Sequence, residues 1–275
     1  AKLGNKLIHM AQQDHDQERM LQAHHARWTT LMLIPDYQQT LWHLQQGRKL
    51  YQSSMHENHC FNYGGHDPGM CCLRALCLIN WTVGNPDQAI EAGYESIKLA
   101  QSHQFSLITA HMSTAFVHKQ RGDIKQTQQH AELIIKLAKN NDLPDFVSWA
   151  SIFNGWILGQ GGQWQEGILA IEGAINKLGY KDPGYMSMLV ELYLLANEAD
   201  KGLALVEELL QIVTANNKHD YEPELLRLKG ELLLLKQPVK NSRAKNNNQI
   251  EQCFLTSLAL AKQQGAKSFE LRTAM

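Results

Sequence analysis

The sequence has little that would suit a membrane, secreted or nucleic-acid-binding protein. No apolar stretch reaches the ~18 residues that cross a bilayer, and no basic segment precedes an apolar one as in a secretory signal. The 26 Lys and Arg residues are balanced by 27 Asp and Glu residues, so the basic stripe that a nucleic acid requires is missing. We therefore expect no membrane partner and no nucleic-acid partner.

Cysteine, proline and strand signals are also scarce. The five cysteines are odd in number and include the adjacent pair Cys71 and Cys72, which does not suit a secreted disulfide framework and favours a reducing cytoplasm. Seven prolines stand mostly at apparent turns. Apolar residues instead recur at helical spacing almost throughout, which predicts an all-α chain.

One short pattern repeats along the chain: a turn residue, four further positions, and then a small residue that opens a helix. It reads GNPDQA at 84–89, GDIKQT at 122–127, GQWQEG at 162–167 and NEADKG at 197–202, with spacings of 38, 40 and 35 residues. Weaker copies begin at Pro35 and Lys245. A glycine at the turn ends one helix, and the small residue allows the next helix to pack closely on it.

The repeat predicts six helix pairs in a single domain that covers residues 1–275. The predicted pairs are 17–33/36–51, 67–83/86–102, 105–120/123–140, 144–159/163–178, 183–196/199–215 and 221–236/248–264, with inserted loops near 52–66 and 237–247. Segments 5–13 and 266–275 are predicted to be partial repeats of a longer chain. Stacked pairs bury the apolar faces that neither helix buries alone, which predicts a right-handed α-solenoid.

Several segments resemble the tetratricopeptide-repeat C-terminal region of bacterial signal-transduction ATPase regulators of the cyclase-linked or transcriptional-activator type. They are AHHARW (23–28), GGHDPGMCCL (64–73), GNPDQA (84–89), RLKGELLL (227–234) and CFLTSLALAKQQGAKSFELR (253–272). The resemblance implies a cytoplasmic interaction and regulatory module whose groove binds a peptide, a partner or the parent's own ATPase or output domain. A small-molecule sensor and an assembly scaffold are the alternatives. No phosphate-binding loop is present, so we expect no enzyme activity in this segment.

The segment HENHCFNYGGHDPGMCC (56–72) is the most concentrated set of reactive side chains. Its histidines and cysteines suggest zinc binding or a Cys–His nucleophile, whereas the structural interpretation is that Asp67 caps a helix and Pro68 takes its first position. The ligand spacing is irregular for structural zinc, so we expect no metal and no cofactor. A further alternative is a secondary ligand or interface site formed by His24, His25, His56 and His66.

The first helix of each pair is expected to line the groove of such a stack. The predicted binding residues are Arg74, Leu78, Met112, Phe116, Ile152, Trp156, Glu191, Arg227 and Glu231. We expect the aromatic middle, Phe116 and Trp156, to anchor a partner if these rings are exposed. The alternative is that one of the two residues that a first helix contributes, such as Ile152 or Trp156, belongs to the core between repeats.

Overall fold

The computed structural model describes residues 2–56, 62, 65–237 and 245–275. Within this part of the chain there are fifteen α-helices and no β-strand, so the all-α prediction is confirmed. The helices are α1 (Lys2–Gln13), α2 (Gln17–Leu31), α3 (Tyr37–Leu50), α4 (Ser53–His56), α5 (Pro68–Thr82), α6 (Pro86–Leu99), α7 (Gln104–Gln120), α8 (Ile124–Asn140), α9 (Pro144–Gln160), α10 (Trp164–Leu178), α11 (Pro183–Leu195), α12 (Ala199–Asn216), α13 (Glu222–Leu235), α14 (Lys245–Gln264) and α15 (Lys267–Ala274).

The twelve helices predicted as pairs are all present, each with bounds close to those expected from the sequence. The additional short helix α4 lies in the first predicted insertion, whose residues 57–61 and 63–64 fall outside the described part. Most of the second predicted insertion, residues 238–244, also lies outside it.

The turn residue of the repeated pattern adopts the backbone conformation that its position requires. Gly84, Gly122, Gly162 and Asn197 have φ angles of 95°, 73°, 88° and 58°. Glycine enters this left-handed region without steric cost, and asparagine is the side-chain-bearing residue that does so most readily. The chain can therefore reverse within the three residues that separate the two helices at each of these four turns.

The small residue of the pattern lies where two helices touch. A Cβ atom on Gly167 of α10 or on Gly155 of α9 would collide with the backbone carbonyl of the other glycine. The corresponding residue Gly202 lies against Leu232, whose Cδ2 would be 2.5 Å from an added Cβ. Close approach of a backbone carbonyl at Gly167, and of a leucine side chain at Gly202, thus explains the small residue in these copies of the pattern.

The chain divides into two compact units, residues 1–141 and 142–275. In the first unit, each predicted pair packs as a hairpin, and the first helices α2, α5 and α7 also contact one another in succession. Leu21, Trp28, Leu44, Cys72 and Ala75 form one buried cluster of this unit. In the second unit α9, α11, α13 and α15 contact one another in succession in the same way.

Candidate functional site

The start of α5 is built as the sequence predicts. The Asp67 carboxylate accepts a hydrogen bond of 2.7 Å from the Met70 backbone N–H, and Pro68 is the first helical residue. The second Asp67 oxygen accepts a 2.9 Å hydrogen bond from the Tyr51 hydroxyl. The capping interpretation is therefore confirmed, and it fixes His66 just before the helix and Cys71 in its first turn.

His25 of α2 joins these two residues in a cluster. The three ligand atoms of His25, His66 and Cys71 lie within 4.8 Å of one another. The Nε2 atoms of His25 and His66 are 3.1 Å apart. The Nδ1 atom of His25 lies 3.1 Å from the Gln22 side-chain oxygen.

Cys71 has an unusual environment for a buried thiol. Burial by itself raises the pKa of this thiol. Hydrogen bonding to His25, the nearby Arg74 charge and hydrogen bonding to the Trp28 indole together lower the pKa by more than burial raises it, so the pKa lies below its ordinary value. Burial instead raises the pKa of the adjacent Cys72 to about 12. Cys72 donates a 3.3 Å hydrogen bond to the Leu44 carbonyl and belongs to the core. The two neighbouring cysteines thus differ chemically.

His24, another predicted secondary-site residue, forms a separate buried pair. Its Nδ1 lies 2.8 Å from Nδ1 of His43 on α3. Burial lowers the pKa of His24. Burial also lowers the pKa of His43, and the charges of His24 and Arg27 add to this effect, so that the pKa of His43 is about 4. His56 ends α4, and its side chain lies outside the described part. His24 and His25 therefore point to different partners.

A second histidine pair occupies the equivalent place two repeats later. His111 of α7 and His130 of α8 have their Nδ1 atoms 2.9 Å apart, and both pairs are separated by 19 residues in the sequence. Burial lowers the pKa of His111 to about 4 and, with the His111 and His118 charges, that of His130 to about 3. These neutral, buried pairs bridge the two helices of their hairpins.

Four of the five predicted groove residues of the second unit belong to a hydrogen-bonded chain: Trp156, Glu191, Arg227 and Glu231. The Trp156 indole N–H donates to Glu191 at 2.8 Å. Glu191 also accepts from Arg272 at 3.3 Å. This chain begins on α9, crosses α11 and reaches α15.

The hydrogen-bonded chain of side chains continues through a buried ion pair on α13. Arg272 lies 2.9 Å from Glu224, and the Glu224 carboxylate accepts two hydrogen bonds from Arg227, at 2.7 and 2.9 Å. Arg227 also donates to Glu231, whose side chain is 40% exposed. Burial would lower the pKa of Arg227, but the Glu224 carboxylate raises it above its usual value. We call the six residues Trp156, Glu191, Glu224, Arg227, Glu231 and Arg272 the polar chain.

The other predicted groove residues differ in exposure. Arg74, Leu78 and Met112 are half-buried, and Arg74 reaches the Ser113 hydroxyl at 3.4 Å. Ile152 is fully buried, and Phe116 is 8% exposed, so most of their surface takes part in helix packing. Trp156 is likewise only 4% exposed. Ile152 is therefore a core residue, as the alternative interpretation of the groove positions expects.

Sequence reasoning missed Glu224 and Arg272 of the polar chain and did not group Cys71 with His25. Glu224 lies one helical turn before Arg227, and this i,i+3 spacing is a signal that could have identified the pair. Arg272 reaches Glu191, 81 residues away in the sequence, and local spacing carries no signal for such a contact.

None of the helices described is both long and apolar enough to cross a membrane. No protein-family model matches the chain. It is similar to "Uncharacterized protein R02095" of Rhizobium meliloti (strain 1021), with 24% identity over 214 residues that cover 72% of this chain and 20% of that protein. The chain thus matches about a fifth of the length of this relative.

Proposed function

We propose that this chain is a non-enzymatic interaction and regulatory module of the tetratricopeptide type, part of a larger cytoplasmic signalling protein. In this proposal the helix pairs stack as a right-handed solenoid, and a peptide or neighbouring domain binds along the first helices. Successive contacts among α9, α11, α13 and α15 support this arrangement, since first helices line the concave face in such stacks.

The observation that carries the proposal is the polar chain itself. It links one or more side chains from each of four successive first helices, from Trp156 on α9 to Arg272 on α15. Hydrogen bonds fix these side chains before a partner arrives, and such preorganisation lowers the entropic cost of binding.

Charge indicates the kind of partner. The polar chain contains three carboxylates and two guanidinium groups, and its most exposed charged group is Glu231. Residues 142–275 contain 16 acidic and 13 basic residues. We therefore expect a segment with Lys or Arg to bind more tightly than an acidic one, because complementary potentials favour the encounter.

A matched pair of synthetic helical peptides tests this proposal. One carries Lys and the other Glu at the same exposed positions, and fluorescence anisotropy measures binding to the whole chain. We expect the basic peptide to bind with salt-sensitive affinity, and Glu231→Gln to weaken it about fivefold. The glutamine keeps an acceptor for Arg227.

The control removes one exposed carboxylate from the other unit. Asp87 is 94% exposed at its side chain and pairs with Arg121, so Asp87→Asn should leave peptide affinity unchanged. Equal binding of both peptides, or equal losses in the two variants, would contradict a site on the polar chain.

A further inference from the structure

We infer that His25, His66 and Cys71 bind one Zn²⁺ ion in the first unit, contrary to the expectation of no metal drawn from sequence spacing. That expectation considered ligands from residues 56–72 alone. The structure adds His25, which lies 41 positions before His66 in the sequence but 3.1 Å from it in space. The proposed site is independent of the polar chain.

The ligand types and their separations suit a transition metal. Zinc binds imidazole nitrogen at about 2.0–2.1 Å and thiolate sulfur at about 2.3 Å. In a tetrahedral complex these lengths place ligand atoms roughly 3.3–3.6 Å apart. The histidine nitrogens are already 3.1 Å apart, and all three ligand atoms lie within 4.8 Å, so small side-chain rotations suffice. Hard cations such as Mg²⁺ and Ca²⁺ prefer oxygen ligands.

Groups around the cluster orient the ligands as in known metal sites. Ligating histidines usually donate their second ring N–H to an oxygen acceptor, and His25 makes this contact with Gln22. The His25 ring also stacks on Trp28 with centroids 4.9 Å apart. Both interactions hold the Nε2 atom of the ring toward His66.

Trp28 supplies a second observation that points to a bound thiolate. Its indole N–H is fully buried and has no oxygen or nitrogen acceptor among the described residues. The group it approaches is the Cys71 sulfur. A metal-bound thiolate is a better acceptor than a neutral thiol, so zinc would satisfy this buried donor.

The described residues supply three ligands, which leaves one tetrahedral position for water or a small anionic ligand. The ion would join α2 to the start of α5, across the first predicted insertion. It would thereby fix the first repeat to the second. Zinc should raise the melting temperature of the chain, since a ligand that binds the folded state stabilises it.

Cobalt substitution tests the site directly. The chain is purified with a chelator, desalted and titrated at neutral pH with Co²⁺, whose thiolate charge-transfer absorption reports sulfur ligation. We expect one equivalent to bind, Zn²⁺ to displace it, and Zn²⁺ to bind with a dissociation constant of about 1 µM or lower. Mg²⁺ should not compete.

Two variants and two controls locate the ligands. Cys71→Ser should abolish the charge-transfer band, and His66→Asn should weaken Zn²⁺ binding at least tenfold; circular dichroism checks that each is folded. Cys72→Ser and His219→Asn remove a neighbouring thiol and a distant imidazole and should change neither property. His66 is half-buried before the helix, so its variant serves if Cys71→Ser fails to fold.

Two results would overturn the inference. One is the absence of a stoichiometric charge-transfer band in the wild-type chain. The other is unchanged Zn²⁺ affinity in His66→Asn and in any folded Cys71→Ser, which would place the metal on other side chains. Neither result bears on peptide binding by the polar chain, which is measured separately.

Discussion

Replacement of Arg227 should destabilise the second unit strongly, because it leaves a buried carboxylate with too little positive charge. Glu224 is 1% exposed at its side chain and is held by two hydrogen bonds from Arg227. Removal of one partner of a buried ion pair typically costs about 3–5 kcal/mol. Arg272 still contacts Glu224 at 2.9 Å, so we expect the lower limit, about 3 kcal/mol, for Arg227→Met.

The methionine retains much of the apolar stem, so the measured loss reports charge and hydrogen bonding more than packing. Urea unfolding followed by circular dichroism gives the free energy of unfolding. A loss of about 3 kcal/mol should lower the melting temperature of this unit by roughly 10 °C.

Lys229→Met on the same helix is the matched control. Lys229 faces Glu207 at 3.4 Å, and the Glu207 side chain is 58% exposed, so this pair should contribute less than about 1 kcal/mol. If Arg227→Met loses less than about 1 kcal/mol, or if both variants lose the same amount, the buried pair does not have the energetic role assigned to it.

Three further predictions concern packing and pH. Gly167→Ala should destabilise the second unit by about 2 kcal/mol or more, because its Cβ would collide with the Gly155 carbonyl. The control Gly173→Ala, in the same helix, meets no atom within 4 Å and should be neutral or slightly stabilising. If thermal unfolding shows Gly173→Ala to be the less stable variant, the close approach at Gly167 is contradicted. Trp156→Ala should cost about 3 kcal/mol of stability, and an unchanged melting temperature would show that the ring is not held by packing. The pKa values of His43, His111 and His130 are lowered to about 4, 4 and 3 in the folded protein. Below pH ~6.5 the unfolded state therefore binds more protons than the folded state. The first unit should lose stability as the pH falls from ~6.5 toward 4. His111→Gln should flatten this dependence in urea titrations at several pH values, and an identical slope would contradict the assignment.

The amino-acid sequence by itself determined the helices and the turns between them. Helical periodicity, the glycines at 84, 122 and 162 and the Asp67–Pro68 cap act over a few residues, and such local chemistry can be evaluated without knowledge of the tertiary fold. The structure places the corresponding helix ends close to the predicted bounds.

Only the tertiary structure decided which reactive side chains meet. His25 comes from a helix that precedes His66 by one repeat, and Arg272 reaches Glu191 from 81 residues away. Burial also separated neighbours that the sequence presents alike: Cys72 belongs to the core, whereas Cys71 joins the histidines. Such contacts depend on how the helices rotate and pack against one another, and helical periodicity fixes which face is apolar without fixing which residue of another repeat it meets.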